Sequence, residues 1–238
     1  MNEKPTGTTF LLVHGAWGGS WGFHKLRPLL NAAGHRVFTP SLTGIGERQH
    51  LATPEVGLST HITDVVNTAH YEDLHNIVLL GFSYGGMVVT GALEKLADRV
   101  DHLVYLDAFV PSDGESANSI AGGNLTPASA DEWTIPPRPR QLGDAAETQW
   151  ANERRSPQPI KTFTEPVHLA APLESHRFTR TYIKATADEN EPSNSPFWQA
   201  AAMAKSSADW QYHEVACNHM IPLMKPAELA EVLLDRVR

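Results

Sequence analysis

A serine at position 83 is surrounded by glycines in the segment LLGFSYGGMVV, residues 79–89. A serine hydroxyl is a weak nucleophile, and a tight strand-to-helix turn lifts it out of a sheet toward a base and a substrate carbon. Such a turn crowds strand against helix, and Gly81 and Gly85, two residues before and two after Ser83, would relieve the crowding. We therefore predict that Ser83 is a nucleophile, with a structural turn serine as the alternative.

A nucleophilic serine requires a general base, and position selects it among twelve histidines. His219, in CNHMIPL, follows the last predicted strand and precedes the last predicted helix. It would lie at the carboxyl edge of the sheet, where Ser83 also emerges. His213 lies inside a strand pattern instead. We predict that His219 is the base.

A carboxylate must hold the imidazole in the correct tautomer. Asp188, in KATADENEP, follows the fifth predicted strand and preserves the chain order Ser, Asp, His. Asp107, in YLDAFVP, ends the strand after the nucleophile strand and is the main competitor, with Glu189 and Glu191 as further alternatives. We favour Asp188 as the acid, while Asp107 stays open.

An oxyanion hole is expected where the first and third strands separate. The segment LVHGAW ends the first strand, and the backbone N–H groups of Ala16 and Tyr84 would point at a developing alkoxide. His14 is expected to be a buried residue that orients this loop. The glycines match neither a dinucleotide fingerprint nor a phosphate-binding loop with its lysine.

Alternating strands and helices would position these residues. Six segments have the apolar character of strands in a mainly parallel sheet of order 2-1-3-4-5-6: FLLVHG, HRVFTP, NIVLLG, HLVYLDAFV, TRTYIKAT and DWQYHEVA. Ser59 is predicted to cap a helix that buries Ile62, Val65, Val66 and Ala69. Helical patterns also follow Ser83, occupy residues 196–206 and close the chain from Pro226. The proline-rich residues from about 111 to 177, hereafter the insert, are predicted to form a cap.

Composition favours one α/β domain over residues 1–238 that acts on a small molecule. The formal charge of −8 argues against nucleic acid and anionic membranes as partners. The polar N-terminus lacks a signal-peptide pattern, and no apolar span of about 18 residues occurs. The lone Cys217 excludes an internal disulfide and a thiolate metal cluster. We expect no metal, no cofactor and a cytoplasmic location; the oligomeric state is open.

Several blocks resemble the α/β-hydrolases, in the branch containing plant methyl esterases and hydroxynitrile lyases. The similarity covers nearly the whole chain and is carried by LLVHGAWGGSWGFHKLRPLLNAAGHRVFTPSLTGIGER, LLGFSYGGMV, YLDAFVP, YIKATAD and CNHMIPLMKPAELAEVL. The resemblance implies the α/β-hydrolase fold with a small cap insertion. It is weakest across the insert, which in this family helps to shape the substrate pocket.

The same resemblance separates esterases from lyases. Lyases of this branch carry a threonine beside the first-strand histidine and a lysine after the catalytic histidine, where this chain has Gly15 and Met220. Without an ammonium group, nothing would stabilise departing cyanide, whereas a thioether suits an apolar ester. A lyase is therefore less favoured than an esterase.

We thus expect a serine hydrolase that cleaves a small to medium, largely apolar carboxylic ester through an acyl-enzyme. Trp17, Phe109, Trp133 and Met220 are the predicted pocket walls. An amide, carbamate or lactone substrate is the alternative, as is a receptor-like homologue with little turnover.

Overall fold

A computed structural model describes residues 7–127, 129, 131–189 and 191–235. The polar segment 1–6 and residues 236–238, where the last predicted helix was expected to end, lie outside this description. The described strands are β1 (Thr9–Val13), β2 (Arg36–Phe38), β3 (Ile77–Phe82), β4 (Val100–Leu106), β5 (Thr134–Ile135), β6 (Gln158–Pro159), β7 (Thr179–Ala185) and β8 (Trp210–Val215).

Six of these strands form one sheet in the order β2-β1-β3-β4-β7-β8. Every neighbouring pair in it is parallel. The predicted six strands and their order are therefore confirmed, and the sheet is wholly rather than mainly parallel. Since β1 and β3 are neighbours, the loop after β1 meets the turn after β3 at the carboxyl edge.

Helices cover both faces of the sheet and connect its strands. The described α-helices are α1 (Leu26–Ala32), α2 (Leu58–Tyr71), α3 (Gly85–Leu96), α4 (Ala117–Ile120), α5 (Ala145–Glu153), α6 (Lys161–Thr164), α7 (Pro196–Ser206), α8 (Ile221–Met224) and α9 (Pro226–Asp235). Short 3-10 helices cover Ser20–Phe23, Gly46–Leu51, Ala97–Arg99 and Leu173–Ser175. None of the helices in the described residues is long and apolar enough to cross a membrane.

Alternate side chains of the strands supply two apolar cores. Leu11 and Leu79 point into the core that packs against α2, α3 and α7, whereas Leu12 and Leu80 point into the core under α1 and α9. All four are fully buried. A parallel sheet covered on both faces requires such continuous apolar strands, because neither face meets water.

The start of α2 differs from the prediction at Ser59. The helix begins at Leu58, and Gly57 is the N-cap residue. The N-cap therefore lies two residues before the predicted one. Leu58, the first residue of the helix, is buried in the core and belongs to the first turn. The N–H of Ser59 is instead satisfied by the carboxylate of Glu165, at 3.0 Å, from the insert.

The insert contains short elements only. Its helices α4, α5 and α6 and its antiparallel pair β5–β6 are joined by irregular chain. Asp144 caps α5 by accepting the N–H of Glu147 at 2.8 Å, and α5 presents Trp150 edge-on to Trp21 at 5.6 Å between ring centroids. Hydrogen bonds and ring contacts therefore hold the insert against the sheet edge that carries Ser83.

Candidate active site

Ser83 occupies a strained turn between β3 and α3. Its φ is +57°, a left-handed conformation that costs a non-glycine residue free energy. A Cβ on Gly81 would lie 2.7 Å from the carbonyl oxygen of Gly85, and a Cβ on Gly85 would lie 2.5 Å from the carbonyl oxygen of Val13. The crowding predicted at these two glycines is therefore present.

Three side chains form a continuous hydrogen-bonded chain. The Ser83 hydroxyl lies 2.9 Å from Nε2 of His219, and Nδ1 of His219 lies 2.7 Å from Oδ2 of Asp107. His219 is 6% exposed and Asp107 is fully buried. With Nδ1 protonated and donating to Asp107, Nε2 is free to accept the serine proton.

The partner of the imidazole is thus Asp107, and the prediction of Asp188 for that position is corrected. Oδ2 of Asp188 accepts the backbone N–H of His219 at 3.3 Å and lies 4.0 Å from a guanidinium nitrogen of Arg140. Asp107 follows β4 directly with a φ of +42°. Its carboxylate therefore already reaches the imidazole, whereas Asp188 fixes the loop that carries the ring.

His219 and a buried lysine together favour the ionised state of Asp107. The Lys184 ammonium, 0% exposed, donates to Oδ1 of Asp107 at 2.7 Å, to Glu191 at 2.6 Å and to the carbonyl oxygen of Ala185 at 2.7 Å. Burial alone would raise the pKa of Asp107, but the hydrogen bond and charge of His219 and the charge of Lys184 hold that pKa below its ordinary value. Glu191, an alternative acid in the sequence, is the second anion of this cluster.

Sequence reasoning missed Lys184, although a signal was available. Leu106 pairs with Ile183 in the β4–β7 ladder, so the next residues, Asp107 and Lys184, come side by side. A lysine inside a buried strand needs a buried carboxylate nearby, and a neighbouring strand can supply it. That requirement selects Asp107.

Two phenylalanine rings flank the imidazole of His219. The Phe197 ring is parallel to it, with an interplanar angle of 2° and 5.2 Å between centroids, and the Phe82 ring lies 4.8 Å away at 31°. These contacts restrict the ring to one plane and limit water around it. Phe197 begins α7 and was not singled out in the sequence.

The loop after β1 lies against the Ser83 turn. A Cβ on Gly15 would lie 2.8 Å from Cβ of Ser83, so a larger residue would displace one of them. His14 is buried as predicted: its Nδ1 lies 2.8 Å from the carbonyl oxygen of Gly15, and Nε2 accepts the N–H of Leu42 at 3.1 Å. Burial lowers the pKa of His14 to about 4. A neutral His14 thus fixes the loop that leads to Ala16.

The insert holds the next residue of this loop, Trp17, whose φ is +59°. Its backbone N–H donates to Oε1 of the buried Gln158 at 2.8 Å, and its carbonyl oxygen accepts the N–H of Ser156 at 3.2 Å. Its indole N–H donates to the carbonyl oxygen of Ile135 at 2.9 Å. Three hydrogen bonds from the insert therefore maintain a strained conformation beside Ala16.

Tyr84, the residue after Ser83, is anchored from the other side. Its hydroxyl lies 3.0 Å from Nδ1 of His61, whose Nε2 lies 2.8 Å from the carbonyl oxygen of Thr43. Burial lowers the pKa of His61 to about 3, so the ring is neutral and its Nδ1 accepts a hydrogen bond from the Tyr84 hydroxyl. Both chain segments that would supply oxyanion donors are thus fixed by buried neutral histidines.

The four predicted pocket walls have different surroundings. Trp17 packs on Phe163 at 5.5 Å, and Phe109 packs on the same Phe197 ring that stacks on His219. Met220 is buried directly after His219, whereas Trp133 is 38% exposed on the insert. A wall role stays a prediction for all four. Among the described residues, no group of three or more His, Cys, Asp and Glu side chains could hold a metal ion.

The sheet order, the strained serine and its hydrogen-bonded histidine define a hydrolase of the α/β type. Residues 10–232 match the model of the Alpha/beta hydrolase family, and the chain belongs to that family.

Similarity to individual proteins extends over nearly the whole chain. It is 37% identical to a carbendazim hydrolyzing esterase from Nocardioides sp. (strain SG-4G), over 94% of this chain and 97% of that protein. It is 26% identical to salicylic acid-binding protein 2 from Nicotiana tabacum, over 96% of each chain. An extracellular alpha/beta-hydrolase from a Paenibacillus species shares the fold, with a TM-score of 0.80 at 24% identity over 96% of this chain and 98% of that one.

Proposed function

We propose that this protein is a serine esterase that cleaves small to medium, largely apolar carboxylic esters through an acyl-enzyme. The observation that carries the proposal is the unbroken hydrogen-bonded chain from Ser83 through His219 to Asp107. The family membership and the esterase relative support the same reaction class.

In the proposed acylation step, Nε2 of His219 accepts the Ser83 proton while the serine oxygen attacks the ester carbonyl carbon. The tetrahedral intermediate collapses, the bond to the alkoxy group breaks, and the imidazolium returns the proton to the departing alcohol. Water then repeats the sequence on the acyl-enzyme, releasing the acid and restoring the serine hydroxyl.

The charges around Asp107 suit this proton transfer. Asp107 and Glu191 are two anions paired with one cation, Lys184, so the cluster carries a net charge of −1 beside a neutral His219. Formation of the imidazolium brings that sum to zero. The buried cluster thereby favours the protonated imidazole that exists during bond making and breaking.

We assign the oxyanion hole to the backbone N–H groups of Ala16 and Tyr84. The close approach of Gly15 to Ser83 and the position of Tyr84 at the start of α3 support this assignment. We further propose that the insert acts as a cap, since Gln158 fixes the amide of Trp17 next to Ala16.

A carbamate or amide substrate is the second candidate. It is favoured by one observation: the 37% identical relative is a carbendazim hydrolyzing esterase. Methyl esters, aryl esters, carbendazim and methyl carbamates should therefore be assayed together, with a fluorophosphonate probe to report the nucleophile.

We expect turnover of at least one ester and labelling of Ser83 by the probe. Labelling without turnover of any compound would indicate a receptor-like protein. Cyanide release from hydroxynitriles would contradict the esterase assignment.

A further inference from the structure

Arg155, at the end of α5, is a partly buried cation that the proposed ester chemistry does not use. Its Nε is inaccessible to water and donates to no acceptor among the described residues. Within the same residues, no carboxylate oxygen lies within 4.0 Å of its guanidinium group. A guanidinium nitrogen buried in this way is costly, because it loses water without gaining an acceptor.

The surroundings of Arg155 place it beside the candidate oxyanion loop. Its guanidinium carbon lies 5.7 Å from the centroid of the Trp17 ring, and Trp17 follows Ala16. Arg155 also forms part of the wall of a pocket of about 30 Å³, hereafter the inner pocket, whose lining includes Gly15, Ala16, Trp21, Phe82 and Met220. Phe82 and Met220 adjoin Ser83 and His219 in the chain.

Arg155 and Trp21 also line a second cavity on the outer side. This outer cleft has a volume of about 640 Å³, and its lining includes Ser20, Arg27, Gln49 and Arg154. Two carboxylates of the cleft accept hydrogen bonds from neutral side chains: Glu47 from Ser41 at 2.6 Å, and Glu153 from Gln149 at 2.7 Å. Arg155 therefore lines both cavities without a direct carboxylate partner among the described residues.

A second guanidinium reinforces the positive charge. Nε of Arg140 is likewise inaccessible and without an acceptor among the described residues, and its terminal nitrogen lies 4.0 Å from Asp188. Burial and, to a lesser extent, the charge of Arg140 lower the pKa of Arg155 to about 10. Arg140 is itself paired with Asp188, so it adds a secondary positive charge near Arg155.

We propose that Arg155 binds an anionic oxygen group of the substrate, so that the preferred substrates are esters whose far end carries a carboxylate, such as half-esters of dicarboxylic acids. The guanidinium plane offers parallel N–H donors that match a carboxylate. An alkyl chain would lie against the Trp17 ring, because the inner pocket, at about 30 Å³, has room for about one water molecule only. This inference rests on the proposed ester hydrolysis and names its substrate class.

The test compares matched esters on the unmodified protein. Monomethyl succinate, glutarate, adipate and suberate are each paired with the methyl ester of the monocarboxylic acid of equal chain length. We expect that at one chain length the half-ester exceeds its neutral partner in kcat/KM by about 10-fold or more, through a lower KM. Arg155→Met should bring that ratio close to one, whereas Arg154→Met, an exposed cation of the same cleft, should keep it.

Thermal melting gives a readout that needs no turnover. The dicarboxylate of the preferred length should raise the Tm of the unmodified protein and of Ser83→Ala, but not that of Arg155→Met. Arg155→Met should itself melt at or above the unmodified protein, because it removes an uncompensated cation while keeping an apolar stem. A purely structural arginine would instead lower the Tm when replaced.

The outcomes separate this inference from the esterase proposal. Hydrolysis of neutral esters with no half-ester preference at any length, or a preference retained in Arg155→Met, overturns the role of Arg155 alone. If no ester is hydrolysed, but dicarboxylates still raise the Tm in an Arg155-dependent manner, the anion site stands and the esterase proposal fails.

Discussion

Replacing Asp107 with Asn should remove most of the activity and leave the fold in place. The imidazole Nδ1 lies 2.7 Å from Oδ2 of Asp107 and contacts no other carboxylate among the residues that the structure describes. An amide NH₂ at that position favours the tautomer with the proton on Nε2, which cannot accept a proton from Ser83. The corresponding change in a serine protease triad lowers kcat by about 10⁴, or about 5 kcal/mol of barrier, and we expect a loss on that scale here.

Asp188→Asn is the matched control. Its side chain retains an oxygen that can accept the backbone N–H of His219, now at 3.3 Å from Oδ2. We therefore expect kcat to fall by less than about 10-fold, since a single exchangeable hydrogen bond contributes about 1 kcal/mol. The assay is kcat for a methyl ester, with circular dichroism and thermal melting on both variants.

Stability must be separated from catalysis in this comparison. Asp107→Asn also removes one partner of the buried Lys184, which keeps Glu191 and the carbonyl oxygen of Ala185. Because Lys184 and Glu191 remain a balanced pair in Asp107→Asn, kcat is measured at a temperature at which circular dichroism shows this variant to be folded. A larger loss of kcat in Asp188→Asn than in folded Asp107→Asn would refute the reasoning and return the role to Asp188.

Three further outcomes are expected. Ser83→Ala should abolish probe labelling and lower kcat by up to about 10⁶-fold, and hydrolysis near the normal rate would remove Ser83 from the mechanism. Gln158→Leu should lower kcat by about 10- to 100-fold with a smaller change in KM, because the Trp17 amide loses its acceptor. Gln158→Glu keeps an oxygen acceptor and is the control. Equal activity of the two variants would contradict a positioning role for Gln158. Because the folded pKa values of His14 and His61 are lowered to about 4 and about 3, the unfolded chain binds more protons below pH 6.5. The free energy of unfolding should therefore fall by about 2 kcal/mol per histidine between pH 7 and pH 5, measured by urea titration, and an unchanged value would show that these rings are not buried neutral.

The sequence alone determined the sheet and the positions of two members of the hydrogen-bonded chain, Ser83 and His219. Continuous apolar strands separated by helical patterns allow few arrangements other than a parallel sheet covered on both faces. Ser83 and His219 could be identified because their positions depend on local order: one lies in a strand-to-helix turn and the other between the last strand and the last helix. The order of strands and helices along the chain can be read from local sequence patterns, so both positions were predictable.

Only the tertiary structure decided between Asp107 and Asp188. Both follow strands that end at the same edge, so chain order cannot distinguish them. The choice depends on the left-handed backbone of Asp107 and on the alignment of Asp107 with Lys184 across the β4–β7 ladder. Register between strands is a long-range property that pattern and spacing leave undetermined.

The contacts of the insert also required the tertiary structure. Gln158 and Arg155 lie in a segment without regular periodicity, far along the chain from Trp17, yet both meet that residue in the fold. Irregular chain is positioned by its individual hydrogen bonds and ring contacts with the sheet edge, and no local pattern predicts such pairs. The sequence therefore predicted the serine and the histidine of the hydrogen-bonded chain, whereas the tertiary structure selected the side chains that contact them and their loops.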